Sequence, residues 1–175
     1  YALEMIAEQA GQQGVAVEAE LGQLPSGTTG APHGGDTTDP AAAAAFAQYT
    51  GIDLLAVSVG NVHVLLNGEQ ALDLSRLEAI QRAVELPLVL HGGTGINAAS
   101  LKEAIRLGVT KVNYGTYLKQ RYLAALRTAL NDPDPNPHHL LGYGGEVDVM
   151  VAGRQAVREA VLERIEWLNC CGKGY

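Results

Sequence analysis

The feature that most constrains the fold is the alternation of short, almost continuously apolar segments with longer segments of helical periodicity. The apolar segments at 54–60 and 87–90 carry hydrophobic side chains at consecutive positions instead of at every second one. Strands with this pattern are buried on both faces, as they are in a parallel sheet covered by helices. The sequence therefore predicts an α/β fold.

Four strands and six helices are predicted from this alternation. The strands are expected at 15–22, 54–60, 87–90 and 111–114. The helices are expected at 2–13, 39–49, 73–84, 97–107, 116–130 and 149–168, with loops at 25–39 and 131–137. Four βα units and a final helix make up about half of a (β/α)8 TIM barrel, whose usual length is about 250 residues. A small doubly wound sheet is the alternative.

The composition limits the class of protein and its partners. The chain has 175 residues, of which 47% are hydrophobic, so we expect one domain spanning 1–175. A formal net charge of -7 disfavours nucleic acid and anionic membranes as partners. No apolar run approaches the roughly 20 residues that span a bilayer. The adjacent Cys170 and Cys171 suit neither a disulfide framework nor a structural zinc site, which favours a reducing cytoplasm.

Polar side chains stand at the carboxyl ends of the predicted strands, where parallel α/β folds collect their functional groups. Glu18 and Glu20 alternate on the first strand and must face the same side of it. His63 follows the second strand and His91 follows the third, so both imidazoles could reach one metal ion. The plainer alternatives are one solvated glutamate beside a structural ion pair, and hydrogen-bonded neutral histidines.

The segment after the third strand also has the character of a phosphate site. The run from His91 to Gly95 offers backbone N–H groups and the Thr94 hydroxyl just before a helix. The segment from Asn113 to Thr116 leads into another helix in the same way, and barrels often bind phosphate after their last strands. Glycine-rich turns are common, however, and Asn113 could simply cap a turn.

The remaining histidines are weaker candidates because no predicted strand precedes them. His33 lies in the Gly-rich loop at 25–39. His138 and His139 lie in and beside the Pro-rich break. We therefore expect the chemistry to depend on His63 and His91.

Four segments together resemble the class II fructose- and tagatose-bisphosphate aldolase family. They are VEAELG at 17–22, AVSVGNVH at 56–63, LVLHGGTG at 88–95 and KVNYGT at 111–116, and HGGTG is the most specific of them. The resemblance covers essentially the whole chain. It implies the C-terminal half of a TIM barrel and a homo-oligomeric enzyme that cleaves a ketose bisphosphate, or a related phosphorylated keto-sugar, to dihydroxyacetone phosphate and an aldehyde.

The resemblance also implies roles for particular residues. His63 and His91 match two of the family's three catalytic zinc ligands, and Glu20 matches a residue linked to a second or buried metal position. A monovalent cation or a second metal is therefore a further cofactor candidate beside Zn²⁺. The substrate and phosphate contacts fall on Val64, Gly92, Gly93, Thr94, Asn113, Gly115 and Thr116.

The chain departs from the family pattern in three places. The HxDH-type motif that supplies the third zinc histidine and the proton-transfer aspartate does not occur in this sequence. Val64 stands where the family usually has glycine, and the loop at 23–36 has fewer acidic residues than many relatives carry there. We therefore expect this chain alone to turn over slowly or not at all. A non-catalytic homologue, either a sugar-phosphate-binding module or a stabilising subunit, is the alternative function.

Topology and patterning also predict association. A half-barrel exposes the edges of its first and last strands, which invite pairing with another chain. The helix at 149–168 has apolar side chains to bury in an oligomeric contact, namely Val149, Val151, Val157, Val161, Ile165 and Leu168.

Overall fold

A computed structural model of the chain describes residues 2–27 and 35–173. The chain divides into two compact units, Tyr1–Tyr114 and Gly115–Tyr175. A single domain spanning 1–175 stays a prediction.

The first unit contains a parallel four-stranded sheet, which confirms the α/β prediction. Its strands are β1 (Glu18–Leu21), β2 (Leu54–Val57), β3 (Leu88–Leu90) and β4 (Val109–Val112), and their order in the sheet is the order in the chain. Every neighbouring pair is parallel. This register brings the carboxyl ends of all four strands to one edge of the sheet.

Four helices of the first unit alternate with these strands. They are α1 (Ala2–Gln12), α2 (Pro40–Thr50), α3 (Leu74–Ala83) and α4 (Ala98–Arg106). Asp39, Asp73 and Asn97 cap α2, α3 and α4, since each side chain accepts a hydrogen bond from an N–H in the first turn.

The core of the first unit lies between the central strands and the helices that cover them. β3 is completely buried, as is most of β2, whereas the edge strands β1 and β4 are only partly covered. The large apolar side chains that are fully buried among the described residues are Leu55, Val57, Val59, Leu77, Ile80, Leu88, Val89, Leu90 and Leu101. Each stabilises the fold by about 1.5–3 kcal/mol relative to an exposed position.

The strand boundaries differ from the prediction at the two edges of the sheet. β1 covers only the second half of the predicted 15–22, and β4 begins at Val109, two residues before the predicted start. A bulge between Leu88 and Val89 shifts the pairing with β4. The prediction missed this start because the polar Thr110, of a kind usual on an edge strand, separates Val109 from the predicted segment.

The second unit contains three helices: α5 (Thr116–Ala129), the short α6 (Pro137–Leu140) and α7 (Val149–Trp167). Arg164 of α7 stacks over the rings of Tyr117 and Trp167, at 4.1 and 3.8 Å from the ring centroids. The buried Asp148 carboxylate caps α7 and accepts hydrogen bonds from Gly142 N–H (2.8 Å) and Gly144 N–H (3.0 Å). Across the described parts of both units, no helix is long and apolar enough to pass through a membrane.

Candidate active site

The two strand-end histidines lie beside each other at the carboxyl edge of the sheet. His63 follows β2 and His91 directly follows β3, and their ring centroids are 6.3 Å apart with an interplanar angle of 12°. The His63 N–H donates to Pro25 O (2.8 Å), and the His63 C=O accepts from Gly27 N–H (2.9 Å). The fold therefore brings together the two imidazoles that the sequence assigned to a metal.

Both glutamates of β1 contact His91. Its Nε2 lies 3.0 Å from Glu18 Oε1, and its Nδ1 lies 3.3 Å from Glu20 Oε2. The two carboxylates therefore face the same side of β1, as their alternate positions predict. Glu18 is also paired with Lys111, whose Nζ lies 2.6 Å from Glu18 Oε2. The ion pair suggested as an alternative for these glutamates thus exists, and it is joined to His91.

The contacts of Glu18 keep its carboxyl group ionised. Partial burial raises its pKa, but the hydrogen bonds from Lys111 and His91 and the attraction of the Lys111 charge outweigh this effect. The net result is a pKa below the ordinary value for glutamate. Glu18 is therefore a carboxylate at neutral pH, with Lys111 donating to one oxygen and His91 in contact with the other.

Asn61 ties the end of β2 to the residue after β3. Its side chain is fully buried, and its Oδ1 accepts from Val59 N–H at 2.8 Å. Its Nδ2 donates to Val57 O at 3.2 Å and to His91 O at 2.9 Å. Because the amide contacts the backbone of His91 and lies two residues before His63, it fixes the spacing of the two histidines.

Glycine is required at two positions of the turn after β3. Gly92 has φ 66°, and a Cβ there would lie 2.3 Å from Val62 O. A Cβ on Gly93 would lie 2.6 Å from a methyl group of Val112. The turn is therefore pressed against the segments that follow β2 and β4. The N–H of Gly93 donates to Asn113 O at 3.0 Å, so the fold itself uses one of the N–H groups that were candidates for phosphate binding.

Val64 has an unusual backbone conformation. Its φ is 54°, in the left-handed region that β-branched residues rarely adopt. Its side chain is 42% exposed and directly follows His63. The position that carries glycine in the resembled family thus keeps a glycine-like backbone while carrying a valine side chain.

The other predicted phosphate contacts are distributed over both units. Thr94 is half-buried within a short 3-10 turn, and Asn113 is exposed after β4. Gly115 and Thr116 belong to the second unit, where Thr116 begins α5. Phosphate binding by these residues stays a prediction.

Two of the weaker histidine candidates, His138 and His139, make contacts within the second unit. In the second unit, His139 Nδ1 lies 2.7 Å from Asp134 Oδ2, and the ring of His138 stacks on Tyr143 with centroids 5.6 Å apart. His33 and residues 28–34 of the loop predicted at 25–39 lie outside the described residues.

The donor types at the sheet edge fit zinc, which prefers imidazole, thiolate and carboxylate ligands. His63 lies beside His91, and His91 lies beside Glu20. Within 2–27 and 35–173, however, no three His, Cys, Asp or Glu side chains are grouped closely enough to hold a metal ion. The ligand set of His63, His91 and Glu20 therefore stays a prediction.

The sequence did not identify two residues that organise the site. In the sequence, Asn61 belongs to the segment that leads to His63, and Lys111 belongs to a predicted strand. A lysine inside a predicted strand was the available signal for Lys111, because a buried or half-buried lysine needs a partner. Asn61 gave no comparable signal, since asparagine is common in turns.

The sequence profile of the family fructose-bisphosphate aldolase class-II matches residues 3–173. The YdjI aldolase of Escherichia coli K12 is similar in structure, with a TM-score of 0.76 and 31% identity over 99% of this chain. A Coccidioides immitis protein provisionally assigned as a fructose-1,6-bisphosphate aldolase has a TM-score of 0.78 and 26% identity over 98% of this chain. The Campylobacter jejuni fructose-bisphosphate aldolase has a TM-score of 0.69 and 24% identity over 97% of this chain.

The chain spans a little over half the length of these three proteins, at 55%, 58% and 55% respectively. Four parallel βα units that match about half of each aldolase chain confirm the prediction of a partial TIM barrel.

Proposed function

Because this chain belongs to the class II fructose-bisphosphate aldolase family, we propose that it acts in zinc-dependent aldol cleavage. The proposed reaction converts a ketose bisphosphate, or a related phosphorylated keto-sugar, to dihydroxyacetone phosphate and an aldehyde. The observation that carries the proposal is the pairing of His63 and His91 at the carboxyl edge of the sheet, with the β1 carboxylates against His91.

In this proposal, His63 and His91 hold the metal, and Glu20, whose Oε2 lies 3.3 Å from His91 Nδ1, is the carboxylate assigned to a metal position. When bound, a zinc ion supplies Lewis acidity that polarises a ketone carbonyl. Catalytic zinc sites use three protein ligands, so the proposal requires one donor in addition to the two imidazoles. In the family this donor is the histidine of the HxDH-type motif, which does not occur in this sequence, whereas Glu20 is assigned to the second or buried metal position.

The protein groups have separate tasks around such a centre. The exposed side chains of His63 and Val64 lie where a substrate would approach. Thr94 and Asn113 are the candidate donors to the substrate phosphate in the first unit. The proton-transfer group is unassigned, because the motif that would supply an aspartate is not found in this sequence.

The proposal is tested by zinc content and by aldol cleavage, followed for long enough to detect the slow turnover that the missing HxDH-type motif predicts. Fructose 1,6-bisphosphate and tagatose 1,6-bisphosphate serve as substrates, and release of dihydroxyacetone phosphate is followed. The test variant carries His63→Ala and His91→Ala together. The control carries His138→Ala and His139→Ala, which also removes two imidazoles but leaves the sheet edge intact.

Zinc binding and cleavage that are lost only in the His63 and His91 variant would support the proposal. Sugar-phosphate binding without zinc and without cleavage would replace it with the non-catalytic homologue. Cleavage that survives the loss of both histidines would refute the assignment of the metal site.

A further inference from the structure

A chain of polar contacts links three strands beneath the candidate metal site. Lys111 on β4 contacts Glu18 on β1 at 2.6 Å, and Glu18 contacts His91 after β3 at 3.0 Å. Each Glu18 oxygen has its own partner, because Oε2 faces Lys111 and Oε1 faces His91 Nε2. The carboxylate is thus held from both sides.

This chain of contacts differs from an ordinary surface ion pair. β1 and β4 are separated by β2 and β3, and neighbouring strands lie about 4.8 Å apart, so a flat sheet would place β1 and β4 about 14 Å from each other. The ion pair therefore reaches across two intervening strands of the sheet. Its Glu18 side chain is 23% exposed and its Lys111 side chain is 47% exposed, and His91 is 19% exposed, whereas the helical pair Arg82 and Glu78 is 76% and 46% exposed.

The two carboxylates at His91 are not equivalent. Glu18 makes the shorter contact and is anchored by Lys111 on its other oxygen. Glu20 makes the longer contact, at 3.3 Å, and its side chain is 31% exposed. When a neutral imidazole lies between two such acceptors, its single proton is expected on the nitrogen that faces the closer and better anchored carboxylate.

We propose that Glu18 and Lys111 are positioning residues for His91. Lys111 anchors Glu18, and Glu18 accepts the Nε2–H of His91. The ring orientation is thereby fixed, and the lone pair of Nδ1 is presented on the Glu20 side. A histidine that binds a metal through one nitrogen commonly donates its other N–H to a carboxylate of this kind. The metal-binding part of this inference rests on the proposed function, whereas the position of the proton does not.

The proton position is tested on the metal-free full chain by long-range ¹H–¹⁵N correlation spectra of the histidine rings. The expected result is an Nε2–H tautomer for His91 in the parent, with loss of this preference in Glu18→Met and weakening in Lys111→Met. A parent His91 that is protonated on both nitrogens, or on Nδ1 alone, would overturn the inference.

Metal affinity gives the second readout, by chelator competition for Zn²⁺ and by the visible absorption of bound Co²⁺. We expect Glu18→Met to lower the affinity about 10–100-fold and Lys111→Met to lower it less. Lys111→Arg keeps a positive charge at this position, so its zinc affinity should be close to that of the parent. Glu78→Met and Lys102→Met make the same side-chain changes on the exposed faces of α3 and α4, so their affinity and spectrum should equal those of the parent.

The outcomes separate this inference from the proposed function. If the parent binds zinc and cleaves substrate, but Glu18→Met and Lys111→Met bind the metal with unchanged affinity and spectrum, the positioning role is refuted and the aldolase proposal stands. If the parent binds no zinc, the aldolase proposal falls, and the tautomer measurement still decides how Glu18 holds His91. If Glu18→Met does not fold, Lys111→Met and Lys111→Arg carry the same test.

Discussion

Gly92→Ala is expected to destabilise the protein more than Gly51→Ala, although the two glycines have nearly the same backbone conformation. Gly92 has φ 66° and ψ 31°, and Gly51, which ends α2, has φ 66° and ψ 27°. The left-handed conformation costs an alanine about 1–2 kcal/mol at either position. What differs is the space around the new methyl group, so the pair isolates the cost of close packing at the site.

The geometry sets the size of the difference. A Cβ at Gly51 has no atom within 4 Å, whereas a Cβ at Gly92 would lie 2.3 Å from the carbonyl oxygen of Val62 and 2.8 Å from its carbonyl carbon. No side-chain rotation can relieve a clash with backbone atoms. The segments after β2 and β3 must therefore separate, which adds the roughly 1–3 kcal/mol typical of overpacking. We expect losses of about 1–2 kcal/mol for Gly51→Ala and about 2–5 kcal/mol for Gly92→Ala.

Urea unfolding of the parent and the two variants measures these losses, provided that the slope of free energy against urea stays the same. Because the strain at φ 66° is common to both variants, the difference between them reports the contact with Val62. Equal losses in the two variants would refute the conclusion that the loops after β2 and β3 depend on close backbone approach at Gly92.

Three further predictions concern single side chains. Asn61→Asp replaces the amide donor that faces Val57 O and His91 O with an oxygen, so urea unfolding should show a loss of about 2–3 kcal/mol or more. The same change at the exposed Asn67 should have little effect. Val64→Gly should raise the free energy of unfolding by about 1 kcal/mol, because relief of about 1–3 kcal/mol of backbone strain exceeds the roughly 0.5–1 kcal/mol entropic cost of glycine. Thermal unfolding measures this, and a lower melting temperature in the variant would contradict it. Hydrogen bonds from Gly144 and Gly142 lower the pKa of Asp148 in the folded protein. The ionised Asp148 therefore stabilises the fold above its unfolded pKa, and this stabilisation is lost as the pH falls through the lower folded pKa. Below about pH 4, the urea midpoint should therefore fall less in Asp148→Asn than in the parent.

The starts of three helices could be predicted because they depend on local sequence, in particular on the capping residue before each helix. Asp39, Asp73 and Asn97 each precede a helical segment, and each caps a helix as expected from its short polar side chain. The apolar strands were equally visible, but their ends were not. Val59 is fully buried although it lies beyond β2, so hydrophobicity continues past the hydrogen-bonded ladder and made the predicted strand too long.

The site was predicted in part, for a related reason. His63 and His91 could be placed together because parallel strands bring their carboxyl ends to one edge. The contact between Lys111 and Glu18 could not be inferred, since it joins two strands that are not neighbours in the sheet. The contact of Asn61 with His91 O likewise depends on how closely the loops approach, which is a property of tertiary packing and not of any local pattern.

The backbone groups of both histidines are held by hydrogen bonds that do not involve Val64. The backbone N–H and C=O of His63 form hydrogen bonds with Pro25 and Gly27, and the backbone C=O of His91 accepts a hydrogen bond from Asn61. None of these contacts uses the side chain at position 64, which is 42% exposed beside His63. A change at this position can therefore alter what approaches His63 without moving either imidazole. Under the proposed function, substitution of Val64 should change substrate preference more than metal affinity. Substitution of Asn61, Glu18 or Lys111 should change metal affinity more than substrate preference.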